Sequence, residues 1–412
     1  MAQTRTDVRP VDLADSLTFV PGVPHQYLAH LRANDPVHWH PERDGPGFWA
    51  VTKYDDCVTV NRDYGRFSSA SRGTMPFELS DDEIAQQSLM MLNMDPPLHT
   101  RYRRLVNKGF TPRMVRDLEA SIHRQTDEII DEVCERGEAD FVTEISAELP
   151  LRVIAELLGV PPEDRHRMFD WSNRMVGSED PEYGLTAEDA MGAAMDLYAY
   201  ASQLFAEKRI HPHEDLMSVL TEVEVDGERL SDLELELFFL LLTVAGNETT
   251  RNLMSGAMAA FFAFPDQWAQ LVADRSLLPT AVEEMLRFVT PVMNFRRTAT
   301  VDTELRGVPI AEGDKIVFFH ASANRDEEVF DRADELDVRR DPNPHIAFGG
   351  GGPHFCLGAN LARMEITVMF THLFDRLSDL RPNGEMRRLQ SRFINGVKHL
   401  PVAFSPHRPV CR

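Results

Sequence analysis

Apolar positions recur at spacings of three and four from about Leu98 to Phe288, which predicts a long helical stretch. Prolines at Pro150, Pro161–Pro162, Pro181, Pro212 and Pro265 are expected to mark the stops between helices. Inside this stretch, Ser231-Asp-Leu-Glu precedes a strongly apolar run, the signature of a capped helix entry. That helix is expected to continue for about thirty residues to Phe264 and, being apolar nearly all round, to run through the core. β-forming patches come earlier, at Val37–His40 and Phe48–Thr52, and again later at Phe295–Thr300, Thr303–Arg306 and Lys315–Phe319. Between Ser68 and Gln87 the pattern breaks around Gly73 and Pro76, predicting a long loop of the kind that serves a binding site. An irregular acidic stretch, Asp326–Pro344, leads to one more helix over Gly358–Leu377 and a strand-like pair within Phe393–Phe404. The fold class is therefore mainly α with a small β region. Residues 1–20 are expected to be a loosely held segment, 21–405 one domain, and 406–412 a tail.

Length and composition refine this picture. At roughly 150 residues per domain, 412 residues suggest two or three domains, yet no linker or repeat divides the chain. The net charge of −23 argues against nucleic acid or an anionic membrane surface as a partner. The longest apolar run, Leu237–Leu242 with a weak extension to Ala245, falls far short of the ~20 residues a bilayer requires. No membrane anchor or signal peptide is visible, so a cytoplasmic protein is expected. The cysteines Cys57, Cys134, Cys356 and Cys411 form no CxxC pair, which fits a reducing compartment.

Four groups of residues carry candidate chemistry. The first is Phe348-Gly-Gly-Gly-Gly-Pro-His-Phe-Cys356-Leu-Gly358. Its glycines allow close backbone approach to a flat ligand, and Cys356 stands just before a helix, where free N–H groups favour a thiolate. One thiolate under a glycine-lined surface suits an axial iron ligand. A buried cysteine beside a glycine turn, or a zinc site shared with His354, are the alternatives. The second is Ala245-Gly-Asn-Glu248-Thr249-Thr250 inside the apolar helix, where polar residues need partners. There Gly246 lets something approach, and Thr249 can bond a carbonyl one turn back and open the helix. A kink with Glu248 in a salt bridge is the plainer reading. The third is Glu284 and Arg287, three apart on one helix face. The fourth is a set of cations, His99, Arg103, Arg297 and His354, suited to buried carboxylates.

Taken together and in this order, these residues resemble the cytochrome P450 family of haem-thiolate monooxygenases. The resemblance covers nearly the whole chain and implies a single mostly helical domain with a long central helix over a haem. It implies haem b as cofactor, with Cys356 as the iron ligand and Phe348 and Gly358 against the macrocycle. His99, Arg103, Arg297 and His354 would hold the propionates. Glu284 and Arg287, with Arg340 or its neighbour Arg339, would brace the cysteine loop. Glu248 and Thr249 would be the acid–alcohol pair delivering protons to bound O2.

The loop carries one glycine more than most relatives, since Phe348 and Cys356 are eight apart. That insertion, with Met91-Leu-Asn-Met-Asp and Asn343-Pro-His-Ile, is similar to a bacterial subset acting on sterol side chains and methyl-branched lipids. The implied activity is hydroxylation of a hydrophobic sterol, terpenoid or branched lipid. Natural-product tailoring by epoxidation, N-oxidation or coupling is the alternative, and a non-catalytic haem or ligand sensor is an alternative of another class. The resemblance places Met75, Phe77 and Met90 of the early loop on the pocket wall. Leu241, Val244 and Ala245 join them from the central helix. Val292, Met293, Phe295, Phe393 and Ile394 complete it. Because the chain carries no flavin or iron–sulfur motif, a ferredoxin and a ferredoxin reductase are the implied electron partners. Six basic residues in sixteen, Arg101, Arg103, Arg104, Lys108, Arg113 and Arg116, offer a surface for an acidic partner.

Overall fold

A computed structural model describes residues 8–109, 112–183, 186–224 and 227–410. Its axis is the central helix Asp232–Ala263, 32 residues long. Ser231 and Glu234 close a reciprocal capping box at its start. At the other end the chain breaks at Phe264, and Pro265 occupies the first turn of the next helix, where its missing N–H costs nothing. The central helix is buried against Glu148–Leu158, Arg165–Val176, Ala187–Ile210 and Leu278–Val289. Two glycines permit this closeness. A Cβ on Gly256 would sit 2.6 Å from Val289 Cγ1, and one on Gly246 would meet Ile154 Cδ1 at 2.9 Å. What approaches the central helix at Gly246 is thus Ile154 of a neighbouring helix.

The β portion is built around a five-stranded sheet with the spatial order Val37–His40, Phe48–Val51, Lys315–Phe319, Asn294–Ala299 and Phe67–Ser68. Phe295 pairs with Phe318 and Arg297 with Ile316. Because side chains alternate across a strand, Phe295 and Arg297 share one face and Arg296 takes the other. Arg296 accordingly pairs with Glu78, while Arg297 turns elsewhere. Thr303–Leu305 and Val308–Ile310 form a separate hairpin.

Several expectations change. The stretch Ser68–Gln87 is not all loop, since Asp81–Gln87 is helical behind a Ser80–Glu83 capping box. Pro150 lies in the first turn of the helix Glu148–Leu158 instead of stopping one. The described part of the first twenty residues is fastened: Leu13 and Phe19 are buried, and the Leu13 N–H donates to His40 Nε2 at 3.0 Å. The tail is also held, the His407 N–H donating to the Cys134 carbonyl at 2.9 Å. Cys57 and Cys134 are buried free thiols, and Cys411 lies outside the described residues. Among the described residues no helix is long and apolar enough to cross a membrane.

Candidate functional site

The glycine loop is shaped by backbone angles that side chains disfavour. Gly349, Gly351 and Gly352 have φ of 90°, 91° and 80°, the left-handed region in which glycine pays no Cβ penalty. The loop closes when the Cys356 N–H donates to the Phe348 carbonyl at 3.0 Å. Gly358 caps the helix Ala359–Arg376, and its N–H is directed at the Cys356 sulfur. Cys356 is exposed, yet protein surrounds it closely. It therefore lies on an accessible, closely walled concavity. Burial raises the thiol pKa, while the Gly358 N–H, Arg103 and Arg363 pull it back toward the thiolate.

Around this concavity the structure gathers His99, Arg103, Arg297 and His354. The rings of His99 and His354 lie 4.2 Å apart. Burial, with Arg103 adding to it, drives the His99 pKa down to about 4. Burial, Arg297 and His99 drive that of His354 to about 2, so both imidazoles are neutral. Arg297 is fully buried and has its pKa lowered to about 10 by desolvation. No carboxylate within ion-pair distance accompanies it among the described residues; Asp95 acts on it only at longer range. Asp95 itself is held by Ser68 Oγ at 2.5 Å and the Ser69 N–H at 2.9 Å. The Nδ1 of His99 is buried without a partner. A buried cation and an orphaned polar atom beside an accessible sulfur fit a flat ligand carrying carboxylates and one metal–sulfur bond, which is the chemistry of a haem. Among the described residues no group of three or more His, Cys, Asp or Glu side chains could hold a metal ion, so the zinc alternative lacks its ligands.

The middle of the central helix is buried on most sides but accessible along a stripe where Ala245 is exposed and Leu241, Val244 and Thr249 are half-buried. Thr249 Oγ1 donates to the Ala245 carbonyl at 2.6 Å, and the helix runs unbroken through this bond. Glu248, one residue earlier, is rotated by about 100° around the helix. It is buried in an ion pair with Arg251 and accepts from Ser172 Oγ at 3.2 Å. The two side chains thus face different surroundings, and no direct hydrogen bond joins them.

Glu284 lies at the centre of a buried network. Its carboxylate takes Arg287 Nη2 and Nε, each at 2.7 Å, and Arg340 Nε at 3.0 Å. Arg339 goes to Gln270 instead. Asn343 Nδ2 also donates to Glu284, at 3.0 Å. A second carboxylate, Glu283, joins His345 before the loop to Arg363 after it. Sequence reasoning missed Glu283, Arg251, Asp95 and Asn61. The only signal was that polar residues in apolar helices demand partners, and that rule does not name them.

The expected pocket side chains divide. Val292, Phe295, Phe393, Met75, Phe77 and Met90 are half-buried, and the Phe295 and Phe393 rings are 5.4 Å apart. Phe77 lies under the Arg392 guanidinium at 5.0 Å. Ile394 is buried where its backbone bridges to Val292. Met293, just before the strand Asn294–Ala299, packs instead into the separate cluster of Leu28, Phe48 and Phe319. Of the basic cluster, Arg104 and Arg116 are exposed, Arg101 pairs with Glu228, and Arg103 is half-buried near Cys356. The side chains of Lys108 and Arg113 lie outside the described residues.

A sequence model of the family described as Cytochrome P450 matches residues 186–396. The chain is 41% identical over 403 residues to a steroid C26-monooxygenase of Mycolicibacterium smegmatis, covering 96% of this chain and 93% of that one. It is 42% identical over 388 residues to a methyl-branched lipid omega-hydroxylase of Mycobacterium tuberculosis, covering 92% and 90%. Among solved structures, a Mycobacterium marinum cytochrome P450 in complex with pseudoionone superposes with a TM-score of 0.89 at 41% identity, covering 97% of this chain and all of that one.

Proposed function

The chain belongs to the cytochrome P450 family and is a monooxygenase, and from that premise we propose that it hydroxylates the branched terminus of a steroid side chain or of a methyl-branched lipid. The observation that carries this reading is the likeness, over nine-tenths or more of each chain, to relatives named for those two activities. The apolar, half-buried side chains Leu241, Val244, Val292, Phe295 and Phe393 support it, because an apolar wall suits a hydrophobic ligand.

In this reading haem b is the cofactor, with Cys356 as the thiolate ligand and His99, Arg103, Arg297 and His354 around its carboxylates. Bound there, it supplies the iron at which dioxygen is activated. The chain's own residues do the rest. Gly358 directs an N–H at the sulfur and favours its ionised form. Arg297, buried and cationic, offsets an incoming carboxylate. Thr249 holds its proton against the Ala245 carbonyl, ready to pass it into the interior concavity, and Glu248 is the carboxylate that renews it. Because Arg251 and Ser172 hold Glu248 away from Thr249, that renewal runs through water or a change of rotamer. Electrons come from a ferredoxin and its reductase, steered by exposed arginines such as Arg104 and Arg116.

The test uses the holoenzyme. The reduced carbon-monoxide spectrum is expected to show the red-shifted band of thiolate ligation. Steroids bearing a full side chain and methyl-branched fatty acids are expected to shift the haem spin state and, with ferredoxin and reductase, to gain one oxygen at a terminal methyl by mass spectrometry. Turnover of neither class, with the red-shifted band intact, overturns the substrate assignment.

A further inference from the structure

The glycine loop and the buried arginine are distant in sequence, and one side chain touches both. Asn61, in the helix Tyr54–Arg62, is buried. Its Oδ1 accepts from Arg297 Nη2 at 3.0 Å, and its Nδ2 donates to the Gly351 carbonyl at 3.0 Å. The amide can be oriented only one way. Arg297 is a donor without acceptor capacity and a carbonyl is the reverse, so each end of Asn61 has one possible partner. The same helix backs the rest of the loop: Arg62 Nε donates to the Gly350 carbonyl at 2.6 Å. A Cβ on Gly350 would meet Val58 Cγ2 at 2.9 Å, and one on Gly349 would meet Asn61 Nδ2 at 3.3 Å. The four-glycine loop is therefore pressed onto this helix, and only a loop without side chains fits there.

We propose that Asn61 is a positioning residue for the cofactor, coupling the loop that presents Cys356 to the arginine that receives the cofactor's carboxylate. This rests on the haem-thiolate reading above and extends it to a residue outside the sites the family resemblance supplied. Arg297 is fully buried and also donates to the Arg296 carbonyl at 2.8 Å, so Asn61 is one of two fixed acceptors that aim its guanidinium. A shift of that guanidinium toward a bound carboxylate is passed by a stiff, buried amide to Gly351, five residues before the sulfur. The reverse also holds, so the sulfur and the carboxylate site adopt their positions together.

Two variants separate the arms. Asn61→Asp keeps an oxygen for Arg297 but loses the donor to Gly351, and it adds an anion that competes for the arginine. Asn61→Leu keeps the volume and loses both bonds. In the purified holoenzyme, both are expected to convert a larger share of the ferrous carbon-monoxide complex to the blue-shifted form in which thiolate ligation is lost. Both are also expected to release haem to apomyoglobin roughly tenfold faster, the factor associated with one charge-assisted hydrogen bond. Asn61→Asp is expected to lower the haem reduction potential as well, through the added negative charge. Thermal unfolding of the apoproteins reports whether a variant has merely lost stability. If both variants unfold like the wild type and keep its carbon-monoxide spectrum, haem release and potential, the Asn61 assignment is overturned. If the wild type itself lacks the red-shifted band, the haem-thiolate reading fails first, so the two failures are distinguishable.

Discussion

Thr249 donates its hydroxyl to the Ala245 carbonyl from an accessible stripe on the buried middle of the central helix. A hydroxyl placed in this way can pass a proton on only as another arrives to replace it, so that no alkoxide is left behind. Thr249→Ala removes that proton while leaving the packing nearly unchanged. Product formation is expected to fall about a hundredfold, the lower range of what a positioned proton donor contributes, with hydrogen peroxide rising per NADPH consumed. Unchanged coupling in a peroxide assay would remove Thr249 from proton delivery. At the residue level the sequence placed a cysteine just before a helix and a hydroxyl able to bond one turn back, and both are present, but the Thr249 bond does not open the helix as expected. Sequence reasoning left open what approaches Gly246 and misplaced Met293, because both depend on which neighbour packs against them. Ile154 fills the space beside Gly246, and Met293, just outside the strand Asn294–Ala299, packs into the far cluster.

At the scale of elements, the two glycines of the central helix make opposite demands. A methyl group at position 256 would strike Val289, a short β-branched side chain with little freedom to move. The same methyl at position 246 meets Ile154 first at its terminal Cδ1, at 2.9 Å, which can turn about χ2, and then at Cγ1, at 3.1 Å. Replacing glycine by alanine in a helix gains about 1 kcal/mol of intrinsic propensity. Gly246→Ala is therefore expected to be close to neutral in urea unfolding of the apoprotein. Gly256→Ala is expected to lose about 1–2 kcal/mol net, because overpacking outweighs the gain. Equal midpoints for the two variants would contradict this account of the packing. The long helix was legible from its capping box and apolar run. The short helix Asp81–Gln87 was not, because its seven residues contribute no buried side chain and so leave no apolar period to read.

For the whole molecule, the carboxylates Glu284 and Glu283 join segments that the chain order keeps apart. Glu284→Gln would leave Arg287 and Arg340 buried without their countercharge, and is expected to cost about 3–5 kcal/mol in the urea midpoint, with weaker haem retention. Burial alone would raise the Glu283 pKa, but Arg363 and His345 outweigh it and lower it to about 2. A carboxylate bound less tightly to its proton in the folded state stabilises the fold above its usual pKa near 4.5, and that stability is lost as pH falls toward 2. Wild type and Glu283→Gln should therefore differ in denaturant midpoint at pH 6 and converge as the pH drops through this window. A gap that stays constant would exclude the linkage. By itself, the sequence determined the helical class, the long buried helix, the glycine loop ending in Cys356 and the family those residues resemble. All of these are local patterns, set by periodicity, caps and residue chemistry within a few turns of chain. The tertiary structure alone decided that Arg340 rather than Arg339 reaches Glu284, that Arg251 holds Glu248 away from Thr249, and that Asn61 joins the loop to Arg297. Those partners come from segments tens to hundreds of residues apart or from a rotation about a helix axis, and burial, which makes each pairing obligatory, exists only once the chain has folded.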